Sequence, residues 1–215
     1  MRYIYIVIKR IIDFIAALLF LIILSPVFLI VSIAIKLDSK GPVIFKQKRV
    51  GKNGKIFNLY KFRSMSASNN PLNFKEENQI TKVGHFIRKW SIDELPQLVN
   101  IIKGDMAFIG PRPWMVEYHE YMTEEQKHRS DVLPGITGYA QTKGRNNISI
   151  LNKINLDLEY VRKLSLWMDI KIIFLTIATV FSRDGAEMTK MGMKKEIDDI
   201  RDNYFKEQEK NKKKK

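Results

Sequence analysis

The sequence predicts an α+β fold: an N-terminal re-entrant helix-break-helix in the membrane, then a compact, mostly helical domain. That domain carries a small β-hairpin and amphipathic interfacial helices. Three observations predict this. Residues Ile11 to Ile35 form a nearly continuous apolar run. Two short strand-like runs flank an Asn53-Gly54 turn. From Val83 onward the apolar residues recur mainly at helical spacing. The boundaries drawn from these patterns are an anchor over 1–36, a domain over 37–185 and a charged C-terminal tail over 186–215.

The apolar run is interrupted by Asp13, Ser25, Pro26 and Ser32. A straight helix of that length reaches about 37 Å, against a hydrocarbon core of about 30 Å. Yet Ser25-Pro26 sits near its middle, where proline removes a backbone donor and kinks the chain. The Ser25 hydroxyl partly re-satisfies the freed carbonyl. Basic residues flank both ends: Arg2, Lys9 and Arg10 before, then Lys36, Lys40, Lys46, Lys48 and Arg49 after. The positive-inside rule therefore chooses no orientation for a single span. A helix that enters, breaks at Ser25-Pro26 and returns to the same face satisfies both flanks; a single span is the alternative. A cleaved signal peptide fits poorly, because the run is long and no small-residue cleavage site follows it.

Strand-like Val43 to Phe45 and Ile56 to Phe62, around Gly51-Lys52-Asn53-Gly54, read as a β-hairpin. Ser64 to Gln79 is polar and turn-rich, a surface loop. The helical pattern from Val83 to Lys103 is broken by Pro96, so Ile92 or Asp93 opens the helix that ends at Gly104. This puts two carboxylates at the positive end of a helix dipole. Gly110 to Pro113 is irregular, and a helical pattern returns from Trp114 to Arg129. Pro134 to Gly138 reads as a turn leading into a short strand, with a Gly-Arg-Asn loop at 144–146. Helices follow over Ile150–Leu164 and Trp167–Phe181. The last carries Trp167, Ile170, Ile173, Phe174, Ile177 and Phe181 on one broad face, suited either to the core or to a membrane interface.

Composition narrows the chemistry. The chain of 215 residues suffices for one good-sized core. A mean hydropathy slightly below zero excludes a polytopic membrane protein. With no cysteine, disulfides, thiolate zinc sites and cysteine nucleophiles are all excluded. The net charge of +14 draws polyanions: anionic lipid headgroups, phosphorylated substrates or nucleic acid. In the last ten residues six lysines stand against Glu207 and Glu209, a frayed, solvated end or a loose lipid contact.

The densest chemistry lies in Asp93-Glu94-Leu95-Pro96-Gln97, Lys103-Gly104-Asp105-Met106 and Gly110-Pro111-Arg112-Pro113. Adjacent carboxylates at a proline-relaxed helix start can reach one cleft, one attacking or holding a metal while the other handles a proton. Taken alone, such a pair is more often just a helix cap. These three segments resemble the bacterial sugar transferases, the small monotopic phosphoglycosyl transferases. Lys9-Arg10 with Asp13, Ser25-Pro26, Lys61-Phe62-Arg63-Ser64-Met65, Pro134 to Gly138, Gly144-Arg145-Asn146 and Asp157 with Tyr160 support the resemblance, in order from about residue 9 to 180. The likeness is to the family's minimal catalytic form.

The resemblance implies an enzyme that moves a sugar 1-phosphate from a UDP-sugar onto polyprenyl (undecaprenyl) phosphate, releasing UMP. It implies Asp93 as nucleophile, forming a phosphosugar-aspartate intermediate, and Glu94 as the base that deprotonates or positions the polyprenyl phosphate. It implies Mg²⁺ with Asp93 as its contact, and work at the cytoplasmic face of the bacterial inner membrane on one anionic leaflet. Arg112, stiffened by two prolines, suits a bidentate phosphate contact or a structural ion pair. Lys61, Arg63 and Arg88 are further phosphate candidates. Arg145 and Asn146, assisted by Gln141, are implied to hold the uridine moiety. Asp157 reads as a structural anchor. The competing readings are a membrane-tethered module binding anionic lipid or nucleic acid, and an ordinary glycosyltransferase releasing UDP. No recognition helix, zinc finger or aromatic β platform speaks for nucleic acid. The absence of a Rossmann glycine motif and of an Asp-x-Asp signature counts against the ordinary transferase. Donor sugar, pathway and oligomeric state are not legible.

Overall fold

At Leu24 the chain turns through 61° between two apolar helices, α1 (Arg2–Ile23) and α2 (Ser25–Asp38). This is a computed structural model describing residues 2–66, 79–144, 148–182 and 190–213. Pro26 lies in the first turn of α2, where its missing N–H leaves no intrahelical bond unmade. Among the described residues no single helix is long and apolar enough to cross a membrane, but this bent pair is so when taken together.

One face of α1 is joined to the rest of the molecule. Ala17 is buried against Phe57, Leu59, Leu98, Ile101 and Met106. Arg10 donates to the carbonyls of Ile101 and Ile102 at 2.6 and 3.1 Å. Lys9 pairs with Asp169 at 2.7 Å, and the same carboxylate accepts from the hydroxyls of Tyr5 and Tyr160. The opposite face, with Ile8, Ile11, Ile12, Ile15, Leu19 and Ile22, is bare.

β1 (Ile44–Val50) and β2 (Ile56–Phe62) form the expected antiparallel hairpin, in register from Ile44↔Phe62 to Val50↔Ile56. Asn53 and Gly54 take positive φ (55° and 74°) at its tip, as an Asn-Gly pair readily does. The first strand runs to Val50, five residues beyond the expected end, because its ladder with β2 continues in register to Val50↔Ile56.

α3 (Lys82–Lys89) is capped by Thr81, whose hydroxyl accepts from the Gly84 amide at 3.0 Å. The expected helix opening at Ile92 or Asp93 is instead a 3-10 turn over Ile92–Glu94, and α4 (Gln97–Lys103) begins only after Pro96. Gly104 closes α4 in the left-handed conformation (φ 89°).

β3 (Ala107–Ile109) was not visible in the sequence. It pairs in parallel with β4 (Gly135–Thr137), which lies within the Pro134–Gly138 segment expected as a turn. A Cβ on Gly135 would lie 2.1 Å from the Gly110 nitrogen, and one on Gly138 would lie 2.2 Å from the Gly110 oxygen. Only glycine allows the two segments to meet this closely.

The single helical pattern expected from Trp114 to Arg129 divides into α5 (Val116–Glu120), α6 (Glu124–Lys127) and a 3-10 turn over His128–Ser130. A Thr123–Gln126 capping box starts α6 and so ends the helix before it. The strand expected after Gly138 is the helix α7 (Tyr139–Gly144). α8 (Ile150–Arg162) and α9 (Leu166–Ser182) follow nearly as expected.

On α9, Met168 and Ile172 point inward, while Trp167, at 79% exposure, Phe174 and Ile177 point outward. The broad apolar face is therefore not core. The C-terminal segment, expected as a solvated tail, contains α10 (Lys190–Lys213). Ile200 is buried with Trp114, Met115, Tyr118 and Ile154, and Glu196 pairs with Lys153 at 2.5 Å. The lysine-rich sequence masks this, because the docking face carries so few apolar residues.

Candidate active site

Three chain segments converge on the Asp93-Glu94 pair. After α3, Ser91 adopts φ 55°, a left-handed conformation uncommon for a residue with a side chain. That kink swings the chain into the 3-10 turn and buries Asp93 to 9% exposure. From β2, Lys61 places its ammonium 2.6 Å from Glu94 Oε1 and 3.6 Å from Asp93 Oδ2. From beyond β3, Arg112 brings Nη2 to 3.2 Å from the same Glu94 oxygen.

The supports of these side chains are themselves polar and buried. Asn100, fully buried on α4, donates to the Asn58 carbonyl at 2.7 Å and accepts from the Tyr60 amide at 3.0 Å. It fixes β2 against α4 next to Lys61. Arg129 donates to the Arg112 carbonyl at 2.7 Å and forms a buried pair with Asp157, also at 2.7 Å. Its guanidinium lies over the Trp114 ring, 4.1 Å from the centroid. Asp157 is thus the structural anchor it was expected to be. Neither Asn100 nor Arg129 stood out in the sequence; their roles depend on burial, which no local pattern reports.

The two carboxyls differ in electrostatics. Burial raises the pKa of Asp93 above the ordinary aspartate value; Lys61 opposes this and the Glu94 charge adds to it. Burial also acts to raise Glu94, but Lys61 and Arg112, by charge and by hydrogen bonds, outweigh it and hold Glu94 at about 2. Glu94 is therefore a fixed anion clamped by two cations, while Asp93 is the more weakly held carboxylate. Arg88, in the last turn of α3, acts on Asp93 as a further positive charge.

The remaining candidates lie elsewhere. Arg63 is 4% exposed and donates to the carbonyls of Lys40 and Ser39 at 2.8 and 2.6 Å, closing the C-terminal end of α2. It sits at the junction of the helix pair and the hairpin, with its guanidinium turned to backbone carbonyls and away from the dyad's cations; a motif match does not distinguish an inward arginine from an outward one. Gln141, on α7, donates to the Ile136 carbonyl at 2.8 Å, bracing the helix against β4. Arg145 and Asn146 lie outside the described residues. Ser25 and Pro26 lie at the bend between α1 and α2.

An apolar cavity of about 300 Å³ opens beside the dyad. Phe20 and Leu24 line it from the bend of the helix pair, Leu95, Leu98 and Phe108 from the domain, and Glu94 forms part of its wall. Among the described residues no group of three or more acidic or histidine side chains converges to hold a metal by protein ligands alone. Two adjacent carboxylates do suit Mg²⁺, which commonly takes one or two carboxylates and completes its shell with substrate phosphates and water.

A family model described as bacterial sugar transferase matches residues 4–183. The chain is 43% identical over 185 residues to "Uncharacterized sugar transferase EpsL" of Bacillus subtilis (strain 168), covering 85% of this chain and 92% of that protein. It is 43% identical over 190 residues to the UDP-glucose:undecaprenyl-phosphate glucose-1-phosphate transferase of Escherichia coli (strain K12), covering 83% of this chain and 41% of the relative. It is 39% identical over 197 residues to the undecaprenyl-phosphate galactose phosphotransferase of Salmonella typhimurium, covering 83% and 41%. The match thus spans most of the Bacillus protein and less than half of the other two.

Proposed function

Because the chain belongs to the bacterial sugar transferase family, we propose that it transfers a sugar 1-phosphate from a UDP-sugar to polyprenyl phosphate, with release of UMP. The observation that carries this reading is the unequal dyad. Asp93 is weakly held and next to an anion, Glu94, that two cations already neutralise.

An Asp93 carboxylate oxygen attacks the β-phosphorus of the donor. The bond from that phosphorus to the bridging oxygen breaks, UMP leaves with its electron pair, and a phosphosugar remains on Asp93. An oxygen of polyprenyl phosphate then attacks the same phosphorus and expels the Asp93 carboxylate, giving the polyprenyl diphosphate-sugar. Lys61, Arg88 and Arg112 neutralise the converging anions. Asp93, assisted by Glu94, would hold Mg²⁺, which supplies charge neutralisation for the diphosphate.

Glu94 acts in this scheme as a positioning group. A carboxylate held at about 2 is a poor base. A phosphate monoester, with a second pKa near about 6, is already mostly dianionic at neutral pH and needs none.

The acceptor's lipid part suits the apolar cavity, which runs from the bend of the helix pair to Glu94. The bent pair, Arg2–Ile23 and Ser25–Asp38, serves as a re-entrant anchor that keeps both ends of α1–α2 on the cytoplasmic face. The outward Trp167, Phe174 and Ile177 of α9 rest in the same leaflet. Residues 37–185 are then the cytoplasmic catalytic domain, holding Asp93 where a water-soluble donor and a membrane-borne phosphate meet.

The test is nucleotide release. Full-length protein in nanodiscs is incubated with Mg²⁺, undecaprenyl phosphate and a panel of UDP-sugars. UMP from one donor supports the proposal and names the sugar, whereas UDP contradicts it in favour of ordinary glycosyl transfer.

A further inference from the structure

One cation near the dyad has no acid of its own. Alternation along β1 turns Gln47 and Arg49 inward, while Lys46 and Lys48 face solvent. A glutamine and an arginine on the inward face of a strand are out of place unless something polar meets them there. Arg49 donates from Nη1 to the Pro113 carbonyl at 3.2 Å. From Nε and Nη2 it donates to Gln47 Oε1 at 3.2 and 2.6 Å. All of these acceptors are neutral. Among the described residues no carboxylate comes within ion-pair distance, although Glu94 and Glu117 attract it from farther away. Of its five N–H bonds, two lack a partner among the described residues.

The position of Arg49 is set by the site. Pro113 follows Arg112, so the bond to its carbonyl brings Arg49 alongside the arginine that pairs with Glu94, and the two guanidiniums repel each other. Gln47 is held in turn by a contact from Nε2 to Met115 Sδ at 3.3 Å, which leaves its oxygen aimed at Arg49. Lys61, Arg88, Arg112 and Arg49 thus surround two carboxylates, Asp93 and Glu94. Two like charges held together in a half-buried place cost free energy until an anion joins them. Burial and Arg112 accordingly lower the Arg49 pKa to about 10.

We propose that Arg49, oriented by Gln47, is a second anion-binding guanidinium beside Arg112 and takes a phosphate of the diphosphate substrate. The inference rests on the reading above that a nucleotide diphosphate-sugar enters this cleft. It adds to that reading a positioning pair on the hairpin.

Two substitutions test it. Arg49→Met removes the charge. Gln47→Glu keeps Arg49 and neutralises it, placing a carboxylate on Nε and Nη2 where the amide oxygen now sits. The probe is inorganic pyrophosphate, followed by calorimetry and by the rise in Tm of each full-length variant over its own ligand-free value. Both variants should weaken pyrophosphate binding by about tenfold or more, and Gln47→Glu should do so with an unchanged or higher ligand-free Tm. A folded Gln47→Glu variant that binds pyrophosphate as tightly as the parent overturns the inference, whether or not Arg49→Met folds. UMP release by the parent is scored separately. If both variants lose pyrophosphate but the parent releases no UMP, the anion site stands and the transferase reading fails. UMP release with pyrophosphate binding untouched by Gln47→Glu does the reverse.

Discussion

Lys61 Nζ lies 2.6 Å from Glu94 Oε1, so Glu94 is neutralised before any substrate arrives. Arg112 contributes a second cation to the same oxygen at 3.2 Å. Lys61 approaches the neighbouring Asp93 at the longer distance of 3.6 Å, and Arg88 and Arg112 add positive charge around it. Glu94 is thus clamped by two cations, and in the proposed mechanism Asp93 is the carboxylate that reacts.

The first consequence is for stability against pH. Glu94 has its pKa lowered from 4.5 to about 2 in the folded protein, with the attraction of Lys61 and Arg112 outweighing burial. A depressed carboxyl pKa stabilises the fold above the unfolded value, and that stabilisation is lost as pH falls from 4.5 toward about 2. Glu94→Gln should therefore lower stability at neutral pH by roughly 2 kcal/mol. Denaturant unfolding at a series of pH values should show the deficit shrinking through that window.

Asp93 has the opposite sign. Burial raises its pKa, so its ionised form costs stability at neutral pH, and that cost is relieved as pH falls through its folded pKa. Asp93→Asn, a neutral isostere, should raise Tm while abolishing transfer. In the parent enzyme the rate should rise with pH along an acid limb whose apparent pKa lies above that of an ordinary aspartate. A scanning calorimeter and a pH–rate profile measure the two effects.

Arg63 should separate structure from catalysis. It donates to the carbonyls of Lys40 and Ser39 and to the Ser39 hydroxyl. Arg63→Leu leaves those acceptors unpaired and should cost about 2–4 kcal/mol. The folded fraction should keep the parent KM for the nucleotide sugar, measured by initial rates at a temperature where the variant is intact.

Topology is open to a direct test, because the chain has no cysteine to remove. Arg2→Cys and Lys40→Cys bracket the bent helix pair. In oriented membrane vesicles a re-entrant anchor makes both thiols accessible to an impermeant maleimide from the same side. Labelling from opposite sides would indicate a span.

The sequence displayed the apolar helix pair, the hairpin and the dyad because each rests on local chemistry: a nearly continuous apolar run, an Asn-Gly tip, and carboxylates beside Pro96. What it concealed depends on distant partners. The three-residue strands β3 and β4 are too short to show a period, and only the close approach of Gly110 to Gly135 and Gly138 makes them a sheet. Arg63 and Arg112 look alike as basic residues in motifs, yet one is buried at the C-terminal end of α2 and the other, 44% exposed, faces the dyad. The apolar face of α9 was legible, but its outward direction was decided by which side Ile172 packs.

The central claim is that Asp93 takes the phosphosugar. Full-length protein is mixed with Mg²⁺ and the UDP-sugar that yields UMP, without polyprenyl phosphate, and intact mass is read within seconds. A gain equal to one sugar phosphate, mapped by peptide to Asp93 and absent from Asp93→Asn, is the predicted result. UMP release that occurs only when polyprenyl phosphate is present, with no mass gain at any time, would contradict it and indicate direct transfer.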